Sequence, residues 1–490
     1  MSHKQEHSDL VKNVMASARW ATMLRLIAQI FSWLSTIIVV RFLSPDDYGL
    51  NAMLSSPLIL MLLLSTFGLE SALVQTAKIN HLELQSIFGW LLIINIALFA
   101  TYFFGGQFLA WYFNDPRLDL LAKVMSVIFL LVPFRVIPNA LLDRDLDFKL
   151  RAQLEFYASI FAALTTLILA YIGAGVWALV AGVILSRLLM IILLMIFKPW
   201  FIQPKFSINL IDKTMAVGWL ITISNLLMLL SDQLVTIIAG PTIGATLLGL
   251  YVLSLDFALM PLSKGMPISN QTMLPTFSKF QEHRDSASYY FEKLLGGISF
   301  TFIPMLVGLG CIANSLILTV VGAKWSDSIL LLEILSIGMI FRLTSLQLKN
   351  VMVSMGRSDL LLKTNLLQLV LLLPLTILTM QYGVIALALS WVITELIVML
   401  AAIQFSKSVI DISLLKLLRS YRPALVSSFL MTVSVIAMSF ALRSQSGIVL
   451  LLAEIATGVL SYYLAVRFLF INEFRMIMKA LLGNRLAFLY

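Results

Sequence analysis

Apolar residues run in long unbroken stretches along this 490-residue chain, separated by short polar segments. Fourteen stretches are about twenty residues or longer: 20–40, 50–70, 85–112, 118–142, 152–172, 176–197, 215–239, 247–270, 291–321, 326–348, 360–380, 383–406, 423–442 and 447–466. At 1.5 Å per residue, about twenty residues of helix cross the roughly 30 Å of hydrocarbon in a bilayer. The stretches are continuous and do not alternate, so a strand barrel is excluded. The pattern predicts an all-α integral membrane protein with about 14 transmembrane helices. Between the first two stretches, Val39–Leu50 reads VVRFLSPDDYGL, with Arg41, Asp46 and Asp47 crowded together. Ser44-Pro45 reads as the end of one helix and the start of a turn. Asp46 and Asp47 are placed to cap the positive end of the helix that follows.

Composition agrees: 60% of residues are hydrophobic and 12% charged, and mean hydropathy is +0.97. Soluble domains are about 45–50% apolar and about 25% charged. The charge distribution then orients the chain. With the N-terminus on the cytoplasmic side, 25 of the 34 Lys and Arg fall in inner segments, Lys349, Arg357 and Lys363 among them. Five fall in outer segments and four inside spans, and the outer turns at 173–175, 240–246 and 381–382 carry none. Cationic residues gather on the cytoplasmic side of membrane proteins. The net charge of +9 is therefore a topology signal and not a nucleic-acid footprint. Both termini are expected in the cytoplasm, and the polar first 19 residues give no sign of a cleavable signal peptide.

Catalytic and cofactor chemistry has little support. The lone Cys311 cannot form an internal disulfide. His3, His7, His81 and His283 all lie in polar segments, which argues against a metal site. There is no GxxxxGK phosphate loop. No aqueous segment exceeds about 24 residues, too few for an extramembrane catalytic domain. DRDLD at Asp143–Asp147 matches the DxD pattern of sugar-nucleotide sites, but its loop adjoins no soluble domain. A non-enzyme without cofactors or metals is expected.

The chain also resembles itself. GVWALVAGVILSRLLMI from Gly175 aligns with GVIALALSWVITELIVM from Gly383 at an offset of 208. PFR ending at Arg135 aligns with IFR ending at Arg342 at 207, and Thr36–Ile38 with Thr236–Ile238 at 200. Matches in order with so little drift point to six helices, six related helices and two more. An even number per half makes the repeat parallel, about an axis along the membrane normal. The expected organisation is a cytoplasmic segment at 1–19, an N-lobe at 20–197, a linker at 198–214 and a C-lobe at 215–406. An extra helix pair with its basic loop at 407–466 and a cytoplasmic tail at 467–490 complete it. The halves differ informatively: Arg187 corresponds to Glu395 and Glu155 to Lys363, while Arg135 and Arg342 correspond to each other.

A charged side chain at a helix centre costs roughly 2.5–3.5 kcal/mol on insertion scales, so it normally faces a partner or a watery cavity. Arg135, Arg342, Arg25 and Arg187 are the candidate cavity cations. Arg25 lies shallow enough to snorkel instead, and the same reading stays open for Arg135 and Arg342. Arg187 and Glu395 alternatively belong to structural ion pairs. Asp232, Asp256 and Glu395 are the candidates for ion coupling; Glu333 and Glu454 lie at similar depth, Glu454 more in keeping with a structural or lipid-related role.

Four motifs resemble those of Wzx-type polysaccharide exporters in the multidrug/oligosaccharidyl-lipid/polysaccharide superfamily. RFLSPDDYGLNAM follows the first span; LLDRDLDFKLRA at Leu141–Ala152 precedes the fifth; VVGAKWSDSILLLEILSI at Val320–Ile337 opens the tenth; SMGRSD lies at Ser354–Asp359. The similarity spans essentially the whole chain and is closest to colanic-acid-exporter-like lipopolysaccharide biosynthesis proteins. The resemblance implies flipping of an undecaprenyl-pyrophosphate-linked oligosaccharide across the bacterial inner membrane. It also implies membrane lipids as partners and polysaccharide polymerase machinery as a further candidate. A drug or small-cation antiporter of the same superfamily is the alternative, which the arginines disfavour; a membrane-embedded polymerase or glycosyltransferase lacks its large outer loop.

Overall fold

The structure, a computed structural model, describes residues 31–66, 81–145, 147–206, 219–278, 280 and 283–473. Isolated residues 20, 23, 24, 27, 28, 73 and 475 are also described. The helices are α1 (Phe31–Phe42), α2 (Pro45–Thr66), α3 (His81–Tyr112), α4 (Arg117–Arg144), α5 (Phe148–Tyr171), α6 (Val176–Phe197) and α7 (Trp219–Ser278). They continue with α8 (Arg284–Cys311), α9 (Ser328–Ser354), α10 (Ser358–Thr379), α11 (Val384–Ser406), α12 (Leu414–Ala441) and α13 (Gly447–Leu469). Among the described residues there is no strand.

Twelve of these helices are long and apolar enough to span a membrane, and α1 is a shorter apolar helix. The long α7 merges the two stretches 215–239 and 247–270 across Gly244, whose φ of 79° breaks the helix. Its apolar part of 41 residues would measure about 60 Å if straight, twice the hydrocarbon thickness. The bend makes two crossings of it, so thirteen of the fourteen sequence stretches are accounted for and α1 lies in the fourteenth. Several boundaries differ from the sequence reading: the helix of the stretch 423–442 already begins at Leu414, and that of 50–70 runs over Pro45–Thr66. The stretch 291–321 ends its α-helix at Cys311 and continues as a short turn and a π-helical segment to Val321. The stretch 326–348 extends to Ser354 and buries Lys349 inside α9, at 4% exposure; its charge belongs to the helix interior, and not to the cytoplasmic loop as the apolar run suggested.

The chain divides into two compact units, residues 1–229 with 244–246, and 230–243 with 247–490. In the first, α3 packs on α4, α5 on α6, and α4 against both α2 and α6. Leu91, Val132, Val136, Ile137 and Ala140 form a dry seam there. In the second, α9 packs on α11, α8 on α12 and α12 on α13. Phe277, Phe291, Leu295, Leu348, Val351, Met352 and Ala402 are fully buried between them. Outward faces stay apolar, as at Phe104, Ile168, Phe440 and Val459, because lipid rather than water is their solvent.

The crowded turn after α1 is a double cap. Ser44 is the N-cap of α2, with Pro45 at its first turn, where a missing N–H is harmless. The Asp47 N–H donates to Ser44 Oγ at 3.1 Å. Asp47 Oδ2 accepts from Ser44 N at 3.0 Å and from Ser44 Oγ at 2.6 Å, the reciprocal pattern of a capping box. Its other oxygen, Oδ1, accepts from Val176 N at 3.0 Å, the first residue of α6. One carboxylate thus caps two helices. Gly175 makes room for it: φ is +58°, and a Cβ there would stand 2.7 Å from Asp47 Oδ1. Beside it, Arg117 bonds Asp46 at 2.7 Å and Asp115 at 2.6 Å. The guanidinium holds the Asp115 carboxyl below the usual carboxylate range. A depressed carboxylate stabilises at any pH above its unfolded value, and the contribution fades only as acid approaches the depressed one. The tie is therefore complete at neutral pH. Losing a cap costs about 0.5–2 kcal/mol, and Asp47→Ala removes two. Its thermal unfolding midpoint is expected well below that of Asp46→Ala, which removes one exposed ion pair; equal midpoints would refute the shared cap.

Candidate functional site

Matching positions of the two halves share backbone geometry but differ in their charged neighbours. Gly175 and Gly383, 208 residues apart, each precede a helix with positive φ, +58° and +89°. In the first unit, Arg135 on α4 and Arg187 on α6 line the same cavity. In the second, the corresponding Arg342 on α9 and Glu395 on α11 are bonded, Arg342 Nη1 donating to Glu395 Oε1 at 3.1 Å. The same pair of neighbours is like-charged in one half and opposite-charged in the other.

The first cavity has a volume of about 640 Å³ and is walled by α1, α2, α4, α5 and α6. Thr36, Asn51, Ser55, Asn139, Ser159 and Ser186 supply neutral hydroxyls and amides. Arg135 and Arg187 are half-buried, close enough to feel each other's charge. Among the described residues, no hydrogen bond or ion pair engages either guanidinium. Two cations without a bonded partner among the described residues are costly at this depth and are poised to take an anion through charge-assisted, bidentate contacts. Glu155 also lines the cavity, held at 2.9 Å by Arg151 Nε. Arg25 lies outside the described residues.

In the second unit the charges form a closed chain. Arg342 Nη2 donates to Asp232 Oδ1 at 2.6 Å and Nη1 to Glu395. Gln368 Nε2 donates to the same Glu395 oxygen at 3.0 Å, and Lys349 Nζ donates to Gln368 Oε1 at 3.1 Å. The Arg342 guanidinium also lies 5.9 Å from the Trp391 ring centroid. Glu395 is 1% and Arg342 9% exposed, while the Asp232 side chain retains 27%. Two cations and two carboxylates cancel, which makes so deep a cluster tolerable. Asp256 is exposed. Glu454 is 2% exposed, and its Oε2 has no hydrogen-bond partner.

Of the sequence-level candidates, the structure brings Arg135 to Arg187, and Arg342 to Asp232 and Glu395. Gln368, Lys349 and Asn139 carried no intramembrane signal as neutral amides or as a residue counted in a loop. Lys349 sits seven residues after Arg342, on the same helix face two turns on, which is the spacing that reveals it. The DxD pattern is structural: Asp143 pairs with Arg151, Asp145 with Lys198 at 2.5 Å, and Asp147 N-caps α5 through Leu150 N at 3.1 Å. Among the described residues no group of acidic, His and Cys side chains could hold a metal ion.

An all-helical bundle whose membrane-embedded cavity holds charged groups is the build of a multi-pass transporter. Comparison supports that fold. A lipid II flippase, MurJ, in an inward closed conformation superposes with a TM-score of 0.73 over 92% of this chain and 99% of that one, at 15% identity. An inward-facing multidrug resistance MATE family transporter of the MOP superfamily gives 0.59 over 78% and 94%, at 14% identity. Residues 38–330 match the polysaccharide biosynthesis protein family, and the chain belongs to it. Its relatives include the lipopolysaccharide biosynthesis protein WzxC of Escherichia coli (strain K12), 24% identical over 79% of this chain and 80% of that protein. The teichuronic acid biosynthesis protein TuaB of Bacillus subtilis (strain 168) is 20% identical over 72% and 73%. The protein is a multi-pass helical membrane protein of the polysaccharide biosynthesis family.

Proposed function

We propose that the protein moves an undecaprenyl-pyrophosphate-linked oligosaccharide from the cytoplasmic to the periplasmic leaflet by ion-coupled alternating access, with both termini in the cytoplasm. The observation that carries this reading is the pair of guanidiniums, Arg135 and Arg187, which have no hydrogen bond or ion pair among the described residues, in a polar-walled cavity of about 640 Å³. A pyrophosphate, about doubly negative, cannot cross hydrocarbon unaided. The guanidiniums would hold it while neutral hydroxyls and amides meet the sugar. A cationic drug would instead face two like charges, which weighs against the antiporter reading. Arg342 is engaged by Asp232 and Glu395, so its role in this scheme is with the coupling groups: protonation of either carboxylate, or a cation taking the guanidinium's place, would loosen the bonds linking α7, α9 and α11. Asp256 is the further coupling candidate.

The test is flipping of a defined lipid-linked oligosaccharide in reconstituted vesicles, with efflux of a quaternary-ammonium dye as the comparison. Sugar-lipid flipping without dye efflux, abolished when both proton and sodium gradients collapse, is the expected result. Gradient-driven dye efflux alone would return the protein to the antiporter class. Orientation is checked separately, with cysteines placed at exposed Gln445 and Ser408 in a Cys311→Ser background. An impermeant thiol reagent added outside should label position 445 and not 408; the reverse would invert the topology.

A further inference from the structure

Away from the transport cavity, a pocket of about 230 Å³ opens between α8 and α12. It exists because α8 carries Gly296-Gly297 there. A Cβ on Gly297 would meet nothing within 4 Å, and one on Gly296 only Ser420 O at 4.0 Å. Four charged residues line it, two of each sign: Lys293, Arg419, Glu292 and Glu473. Glu292 stands 3.6 Å from Lys416, and Lys293 lies 4.4 Å from the Tyr289 ring centroid. Among the described residues, Arg419 and Glu473 make no hydrogen bond or ion pair.

The pocket's depth follows from the sequence. The apolar stretches of α8 and α12 begin at 291 and 423, and that of α13 ends at 466. All three polar-to-apolar changes fall at this level, on the basic side of the membrane. Tyr289, Tyr290 and Tyr463 are exposed there, as aromatic side chains are at a headgroup boundary. Leu418, Leu425 and Phe429, exposed along one stripe of α12, continue from it toward the hydrocarbon.

We propose that this pocket binds the headgroup of a zwitterionic phospholipid with a primary ammonium, of the phosphatidylethanolamine kind, in the cytoplasmic leaflet. Arg419 and Lys293 take the phosphate, and Glu473 accepts from the ammonium. The notch at Gly296-Gly297 admits the headgroup, and the α12 stripe receives an acyl chain. A purely anionic headgroup would leave the carboxylates facing negative charge. A trimethylammonium headgroup has the charge but no N–H to donate. The site is independent of the cargo assigned above.

The experiment is lipid retention by the full-length protein taken from equal mixtures of phosphatidylethanolamine, phosphatidylglycerol and phosphatidylcholine, read by native mass spectrometry. Wild type should retain the ethanolamine lipid about tenfold over either competitor, the scale of one charge-assisted hydrogen bond. Glu473→Lys should transfer the preference to phosphatidylglycerol. Gly297→Leu should fill the notch and remove retention of all three, with an unchanged melting temperature in phosphatidylcholine. Equal retention of the three lipids by wild type would overturn the proposal, as would undiminished retention by Gly297→Leu. Stoichiometric displacement of the ethanolamine lipid by undecaprenyl pyrophosphate would assign the pocket to the transported lipid, and so overturn it too.

Discussion

Vesicles carrying the Arg135→Ala, Arg187→Ala double variant should flip no lipid-linked oligosaccharide above background, and the variant should melt no lower than wild type. The two halves of this expectation have one cause. Both guanidiniums line the same cavity, like charges that lie close there repel, and among the described residues no carboxylate forms an ion pair with either. Removing them relieves a buried like-charge conflict, so folding does not suffer. Removing them also takes away the anion's partners, each contact contributing about 1.5–3 kcal/mol as a charge-assisted hydrogen bond. Loss of one should slow transport roughly 10- to 100-fold at sub-saturating substrate. Arg→Lys at either site keeps the charge but not the bidentate fork, so transport should fall measurably. Snorkelling arginines would tolerate lysine without loss. Wild-type flipping by the double alanine variant, at equal abundance in the membrane, would remove the arginines from the mechanism.

Arg342→Met should do the opposite, damaging the fold first. Its guanidinium bonds Asp232 and Glu395 at once, and Glu395 is almost completely buried. Removing one member of a buried ion pair leaves uncompensated charge and destabilises by about 3–5 kcal/mol. Asp232 keeps some exposure, so Glu395 carries most of the effect. Neutralising all four, as Asp232→Asn, Arg342→Met, Lys349→Met and Glu395→Gln together, should recover most of the melting temperature, because no charge of the cluster is then stranded. The recovered protein should lose the dependence of flipping on pH and sodium if the carboxylates couple transport to an ion. A single Arg342→Met variant melting like wild type would contradict the buried network.

The helices were legible because lipid enforces a plain rule: each crossing must be apolar and long. Ends were less so. Polar residues such as Lys349 ride inside a helix when a partner like Gln368 waits on its neighbour, and no apolar run records that. Gly244 reads as part of an outer turn between two spans, and its positive φ does break the helix there, though the helical stretches on either side run up to it. The repeat was readable at Gly175 and Gly383, since both positions need the same unusual backbone. The exchange of Arg187 for Glu395 was visible as well, but its meaning was not. That meaning depends on α6 lying beside α4 in one unit, and on α11 lying beside both α9 and Asp232 in the other, contacts made by residues 53 and 110 positions apart.

The shared cap at Asp47 sets a clock on biosynthesis. Its second partner, Val176, is 129 residues further along the chain. At about 5–20 residues per second, a ribosome needs roughly 6–26 s to supply it. For that interval α2 is already in the membrane with half of its capping carboxylate unengaged, and α3, α4 and α5 must insert before α6 can bring the missing N–H. That end of the first unit is thus closed only once a helix made after three intervening ones arrives.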